Sequence, residues 1–365
     1  MKFYVIAGEA SGDLHGSSLM RGLLDEDPAC EIRFMGGDRM CAVGGTMFRH
    51  YRDTAVMGVS EVLAKAGKVA GAMSACKRDI IEFAPDVVVL VDYPGFNLRI
   101  ARFAHRKGIK VYYYIAPKLW AHGERRISAL RRYVDRLFVI FPFEVEYFES
   151  RGVKTEYYGN PLPDSMPSGT IGSGLRGKVI ALLPGSRKSE ISRLLPRYVE
   201  LESIISRDSR FDGYRLILAG APSMSARYYM KYLPAGSGIE LVSGRTCGIL
   251  AEAWAAVVAN GTANLEAVLA GTPQVSCYAM NPLTFFLAKH LVKIPMVSLP
   301  NIVLGRQAIC ELLQDEASAD NMYRELCSIM FDEGRRAAML EDYARLKEIL
   351  GGEGASRRIA RAMLS

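Results

Sequence analysis

Short apolar runs punctuate the chain, each closed by a turn rich in glycine, proline or serine and followed by helical periodicity. Lys2-Phe-Tyr-Val-Ile-Ala7 breaks into Gly8-Glu-Ala-Ser-Gly-Asp13, and Lys178-Val-Ile-Ala-Leu-Leu183 breaks in the same way into Pro184-Gly-Ser-Arg-Lys188. In the first half the pattern predicts strands over Phe3–Ala7, Val87–Val91, Lys110–Ile115 and Arg136–Ile140. Helical spacing falls over Gly16–Leu24, Met73–Phe83, Asn97–Lys107, Glu124–Val134 and Phe143–Ser150. The run Val87–Val91 shows no polar alternation, as expected of a parallel strand covered on both faces. The second half repeats the rhythm, with strands over Val179–Leu183, Tyr214–Ala219, Ala256–Val258 and Gln274–Cys277. Its helices are expected over Ile191–Ser206, near Ala226–Tyr232, and over Gly248–Trp254 and Ala263–Ala270.

Strands alternating with helices imply an α/β protein with a parallel sheet in each half. The two similar openings point to two Rossmann-like, doubly wound domains with a cleft between them. The Pro-, Gly- and Ser-rich stretch Pro161–Lys178 breaks every pattern and reads as the linker. The expected division is an N-terminal domain over 1–165, a C-terminal domain over 178–335 and a helical tail over 336–365.

Composition narrows the class. With 365 residues, half of them hydrophobic, each half has enough apolar side chains for a core of its own. The seven cysteines are scattered without a C-x-x-C pair, which reads as reduced thiols rather than a disulfide framework or zinc site. The five histidines show no ligand spacing, so no metal is expected. The chain enters a strand directly, without a signal-peptide pattern, and no apolar stretch approaches a membrane span. A net charge of +7 favours anionic partners such as a nucleotide, a phosphate or an anionic lipid surface. No aromatic-interleaved basic patch suggests nucleic acid.

Candidate chemistry lies in the turns. Gly8, Gly12 and Gly16 match neither the dinucleotide nor the P-loop spacing. Glu9 and Asp13 would repel a phosphate there, so the Gly8, Ser11 and Gly12 loop reads either as a seat for an uncharged sugar or as a tight turn. Asp92, before Pro94-Gly95 and Asn97, stands at the carboxyl end of a buried strand, where open α/β sheets place their sites. Gly185, Ser186 and Arg187 form the stronger phosphate signal: close backbone approach, a hydroxyl and a guanidinium fork. Gly261 and Thr262 open a helix whose N–H groups suit a diphosphate, and Glu266 either accepts from a ribose diol or complements the helix dipole. Asn301 and Arg306 are the polar positions of an otherwise apolar loop, read either as ligand contacts or as interior groups satisfied within the protein. The segment Met57–Ala70 reads as an amphipathic lipid-facing helix or as core, and the arginines of Glu124–Arg136 as a solvated basic face or a headgroup-attracting one.

Taken in order, these motifs resemble the lipid-A-disaccharide synthase family. The resemblance runs through Ala7–Asp13, Met57–Leu63, Asp92–Asn97, Pro117-Lys-Leu-Trp-Ala121, Pro142-Phe-Glu144 and Gly159-Asn-Pro-Leu162. It continues through Leu183–Arg187, Gly261–Glu266, Pro282–Phe285, Ser298–Asn301 and Glu311-Leu-Leu-Gln314. It implies a GT-B fold and an inverting transfer between UDP-2,3-diacylglucosamine and 2,3-diacylglucosamine 1-phosphate, with no cofactor and no metal. The implied base is Asp92 first and Glu9 second, with Arg187 and the Gly261–Thr262 N–H groups stabilising the departing UDP. The resemblance also implies a cytoplasmic, peripheral enzyme of the inner membrane in lipopolysaccharide assembly, and leaves monomer and homodimer open. This chain departs from the family pattern at Asn160, His122 and Gln307. The alternatives are another GT-B activity, such as a UDP-GlcNAc epimerase or a peptidoglycan-type GlcNAc transferase, or a non-catalytic binder of nucleotide-sugar or lipid.

Overall fold

The computed structural model describes residues 1–53, 62–121, 123–171, 176–281 and 295–365. The chain divides into two compact units, Met1–Ser165 with Leu350–Ser365, and Met166–Ile349.

The first unit is built on a parallel sheet of Lys2–Ala7 (β1), Glu31–Gly36 (β2), Thr46–His50 (β3), Val87–Val91 (β4), Lys110–Tyr114 (β5), Arg136–Val139 (β6) and Glu156–Tyr157 (β7). Among the described residues its order is β3-β2-β1-β4-β5-β6-β7. The strand order reverses between β1 and β4, which pair in register from Phe3 with Val87 to Ala7 with Val91. The five apolar residues of β4 are all fully buried, as a central parallel strand requires. Both loops singled out from the sequence in this half, after β1 and after β4, therefore open side by side at that reversal.

The second unit repeats the plan with Val179–Leu183 (β8), Arg215–Gly220 (β9), Glu240–Ser243 (β10), Ala255–Ala259 (β11), Gln274–Tyr278 (β12) and Cys310–Leu313 (β13). Its described strands run parallel in the order β10-β9-β8-β11-β12-β13, so β8 and β11 are the neighbours at its reversal. Its core gathers Leu182, Leu195, Tyr198, Leu218, Val257 and Val275 with residues of the Ala319–Phe331 helix.

The 336–365 tail is not one element. Met339, Tyr343 and Leu346 of the Glu333–Leu350 helix sit in the second unit's core, and Gln274 donates to the Tyr343 hydroxyl at 3.2 Å. The Ala355–Leu364 helix belongs instead to the first unit and packs along Ala10–Glu26. Gly22 permits that approach, since a Cβ there would lie 3.1 Å from the Ala360 Cβ. Glu26 pairs with Arg357 and Arg361, and Asp164 accepts from the N–H groups of Gly354 and Ser356. The tail divides because its apolar positions face two different cores.

Strands β2, β3, β10 and β13 escape the hydrophobic pattern because each mixes polar and apolar residues, as strands near sheet margins do. The loop expected around Pro300 begins a helix, Leu299–Leu304, in which Pro300 occupies the first turn that proline tolerates. Glu124–Val134 starts as a 3-10 turn at Glu124–Arg126 before the Ile127–Tyr133 helix.

Candidate functional site

In the first unit the site grows from two short turns. Gly8 lies under the Tyr93 ring, and a Cβ there would fall 2.2 Å from Tyr93 Cδ1, so only glycine fits. Glu9 is the extended N-cap of the Ala10–Glu26 helix and accepts from the Ser11 hydroxyl at 2.9 Å. Gly12 packs on Ala7. Asp13, read from the sequence as a charge that would repel phosphate, is buried and caps the Asp38–Val43 helix, accepting from Gly37 at 2.7 Å and from Arg39 and Met40 at 3.1 Å.

After β4 the backbone of Asp92 and Tyr93 is left-handed, with φ of 44° and 49°, and Ile115 after β5 has φ of 62°. Such conformations cost non-glycine residues about 1–3 kcal/mol each and persist only where their surroundings hold them. The hold is visible here. The Asn97 amide donates to the Asp92 carbonyl at 2.8 Å and to the Val91 carbonyl at 3.2 Å, and the Tyr113 hydroxyl donates to the Asp92 carbonyl at 2.6 Å. Asn97 is fully buried in this work: its Nδ2 shapes the turn, while its Oδ1 has no hydrogen-bond partner among the described residues.

The Asp92 side chain is only partly buried. Burial first and the Glu9 carboxylate second raise its pKa to about 6, against the opposing charge of Lys118. Lys118, exposed on the loop after β5, also opposes the rise at Glu144. Glu144 is a buried carboxyl pushed up to about 7 by desolvation, although Trp120, Ile140 and Phe141 all donate to it at 3.1 Å. His15 is buried and held near pKa 4 by desolvation, so it is neutral at pH 7, and its Nδ1 has no hydrogen-bond partner among the described residues. Lys118, Glu144 and His15 were missed as members of this neighbourhood, since nothing in their sequence spacing links them to Asp92. Asn160 is internal as well: its amide donates to the Ile140 carbonyl at 3.1 Å and accepts from Leu162 N–H at 2.9 Å. His122 and most of the Met57–Leu63 motif lie outside the described residues.

In the second unit, Gly185 turns the chain after β8 with φ of 95°, where a Cβ would lie 2.3 Å from Glu190 Oε2. Arg187 is the extended N-cap of the Lys188–Ile205 helix. The N–H groups expected to cradle phosphate are occupied: Glu190 accepts from Ser186 N–H at 3.0 Å and from Arg187 N–H at 3.2 Å. The Arg187 guanidinium donates to Glu190 at 2.9 Å. After β11, Gly261 and Thr262 begin the Thr262–Ala270 helix, with Gly261 N–H donating to Asn264 at 3.0 Å. A Cβ at Gly261 would meet nothing within 4 Å, so open space adjoins this helix start. Glu266 lies one turn further, partly buried beside Cys247.

For Asn301 and Arg306 the sequence left ligand contact and satisfaction within the protein both open. Asn301 is fully buried, donating to the Ile309 carbonyl at 3.0 Å and to Glu311 at 2.7 Å, and accepting from Ala308 and Ile309. Arg306 forks onto Asp342. The interior alternative describes Asn301, whereas the Arg306 side chain is 49% exposed and held by Asp342. Among the described residues no group of three or more His, Cys, Asp or Glu side chains is placed to hold a metal ion.

A family profile described as lipid-A-disaccharide synthetase matches residues 3–363. The chain belongs to the lipid-A-disaccharide synthetase family. Curated relatives named lipid-A-disaccharide synthase agree: one from Geobacter metallireducens is 38% identical, covering 99% of this chain and 96% of the relative. Another, from Trichlorobacter lovleyi, is 36% identical with the same coverage. Among solved structures, a UDP-GlcNAc 2-epimerase from Neisseria meningitidis bound to UDP-GlcNAc aligns with a TM-score of 0.68 at 11% identity, covering both chains in full. The glycotransferase of kitacinnamycin aligns at 0.64 with 15% identity, covering 100% of this chain and 98% of that one. These structural likenesses establish a GT-B fold, while the family match separates the chain from the epimerase and peptidoglycan-type alternatives.

Proposed function

We propose that this chain transfers diacylglucosamine from UDP-2,3-diacylglucosamine to the 6-hydroxyl of 2,3-diacylglucosamine 1-phosphate, giving the lipid A disaccharide 1-phosphate and UDP with inversion. The observation that carries the reading is the family match across residues 3–363.

The acceptor hydroxyl is assigned to the first unit and the nucleotide to the second. Asp92 is the base. Its pKa of about 6 makes it a stronger base than an ordinary carboxylate, yet leaves it mostly ionised at neutral pH. A carboxylate is still weak toward an alcohol, so proton transfer comes late, as positive charge builds on the anomeric centre. Glu9, in the loop after β1, adds like-charge repulsion to the burial that keeps Asp92 basic. In the donor half, Arg187 and the Thr262 N–H at the helix start stabilise the negative charge gained by the leaving UDP, the Gly261 N–H being committed to Asn264. Glu266 is placed to accept from the ribose. This arrangement asks nothing of a metal.

Both substrates carry acyl chains, which supports peripheral contact with the cytoplasmic face of the inner membrane. No helix among the described residues is long and apolar enough to cross a membrane. Arg125, Arg126, Arg131 and Arg132 are exposed and suit anionic headgroups. Arg136 is set apart from them by its ion pair with Glu156 at 2.7 Å.

The test is to incubate the purified protein with both diacylated substrates and follow product by mass spectrometry. Disaccharide 1-phosphate with stoichiometric UDP is the expected result. UDP binding without disaccharide would favour the non-catalytic binder.

A further inference from the structure

We propose that Glu190 is a positioning residue for the donor half-site: it aims the Arg187 guanidinium and occupies the loop N–H groups, so that the diphosphate is met by the arginine side chain rather than by the Gly185–Arg187 backbone. The proposal deepens the donor assignment above and rests on Arg187 acting there.

The geometry separates a fixed partner from a restrained one. The Glu190 side chain is 16% exposed and the Arg187 side chain 66% exposed. The carboxylate is anchored by two backbone N–H groups, at 3.0 and 3.2 Å, in the first turn of the Lys188–Ile205 helix. There it also satisfies orphan donors and complements the positive helix end. From that anchor it accepts from the guanidinium at 2.9 Å. An exposed arginine otherwise spreads over many rotamers, and ordering it on substrate binding costs conformational entropy. One bond to a fixed acceptor removes much of that freedom beforehand.

Gly185 completes the device. Its φ of 95° folds the loop back over the carboxylate, so close that a Cβ would clash with Oε2. Any phosphate drawing on the Ser186 and Arg187 N–H groups would have to evict a carboxylate held by three donors. The phenol of Tyr278, at the end of β12, is raised by burial and then by Glu190, and lowered by Arg187. The pair therefore stands beside the carboxyl end of the sheet, where a nucleotide is expected, and not on a remote face.

The experiment compares Glu190→Gln, Arg187→Ala and the double variant by steady-state kinetics, UDP titration calorimetry and thermal melts. Glutamine keeps an acceptor for the loop N–H groups but loses the charge that holds Arg187. On the wild-type background it is expected to lower kcat about 10-fold while UDP affinity changes less than about threefold. On the Arg187→Ala background the same change is expected to alter kcat less than about twofold, because there is no guanidinium left to aim. Equal losses on both backgrounds would mean that Glu190 serves only the fold, and would overturn the proposal. So would a fully active Glu190→Gln beside a crippled Arg187→Ala. If Glu190→Gln melts early, Glu190→Asp, which keeps the charge on a shorter arm, is read on both backgrounds by the same criterion. An active Arg187→Ala enzyme would instead remove the donor assignment itself, a distinguishable failure.

Discussion

The indole N–H of Trp120 donates to the buried carboxyl of Glu144 at 3.1 Å, tying the Lys118-bearing loop after β5 to the helix that follows β6. The second Glu144 oxygen accepts from Ile140 and Phe141, so one side chain closes three donors. Removing it orphans all three, at about 1–3 kcal/mol for each donor that water cannot reach. Glu144→Ala is expected to lower the melting temperature by several degrees. It should also change Trp120 fluorescence, measured on a Trp254→Phe background to isolate that signal. An unchanged spectrum and melt would contradict the tie.

The activity of the chain should depend on the ionisation of Asp92. With its pKa near 6, kcat/KM is expected to rise with pH along a limb centred near that value. Asp92→Asn should abolish most turnover and leave UDP affinity within about twofold, because the nucleotide is assigned to the other unit. Parallel loss of UDP binding would make Asp92 structural and turn attention to Glu9.

The same group makes a stability prediction with a definite sign. A carboxyl raised from 3.8 to about 6 binds its proton more tightly in the folded state than in the unfolded one. Stability from this site is therefore present at low pH and declines as pH rises from about 4 to about 6. Asp92→Asn should be neutral near pH 4 and should gain on the order of 2 kcal/mol relative to wild type at pH 8. Denaturant melts at the two pH values decide it, with equal differences at both counting against the shift.

Arg187→Ala should lower turnover by roughly 10²–10³, the scale of losing one donor to a developing anion. Folding should be preserved, since the side chain is 66% exposed. Near-normal turnover would sink the assignment.

Activity is expected to persist in excess chelator, because Arg187 and the Gly261–Thr262 helix start carry the leaving charge in the proposed mechanism. Loss on chelation with rescue by Mg²⁺ or Mn²⁺ would overturn that part of it.

The central strands were legible because β1, β4, β8 and β11 are unbroken apolar runs, buried on both faces. The same signal located the turns that carry Glu9, Asp92 and Arg187. Sequence could not reveal which polar residues those turns spend on themselves. Asn97 and Asn301 looked like ligand groups because amides in such loops have that chemistry, and Asp13 read only as a charge that would repel phosphate. Their partners are backbone groups supplied by other elements, such as Gly37 for Asp13 and Ile309 for Asn301. Glu190 escaped notice for the reverse reason: a glutamate in a first helical turn reads as a cap, and its second bond, to Arg187, exists only once the turn is formed. Sequence could not show that the Glu333–Leu350 and Ala355–Leu364 helices, close together along the chain, belong to different units.

The return of the last helix to the first unit bears on how the protein is made. Translation delivers residues 1–165 early, with β1 through β7 complete, yet the groove beside Gly22 stays unfilled and the Asp164 carboxylate uncapped until the final residues emerge. By then the whole second unit has left the ribosome and had time to fold. A chain ending at residue 349 would therefore carry every residue of the second unit beside a first unit still missing a wall, with the Ala10–Glu26 face around Gly22 uncovered. A premature stop near the carboxyl terminus would act as an amino-terminal lesion.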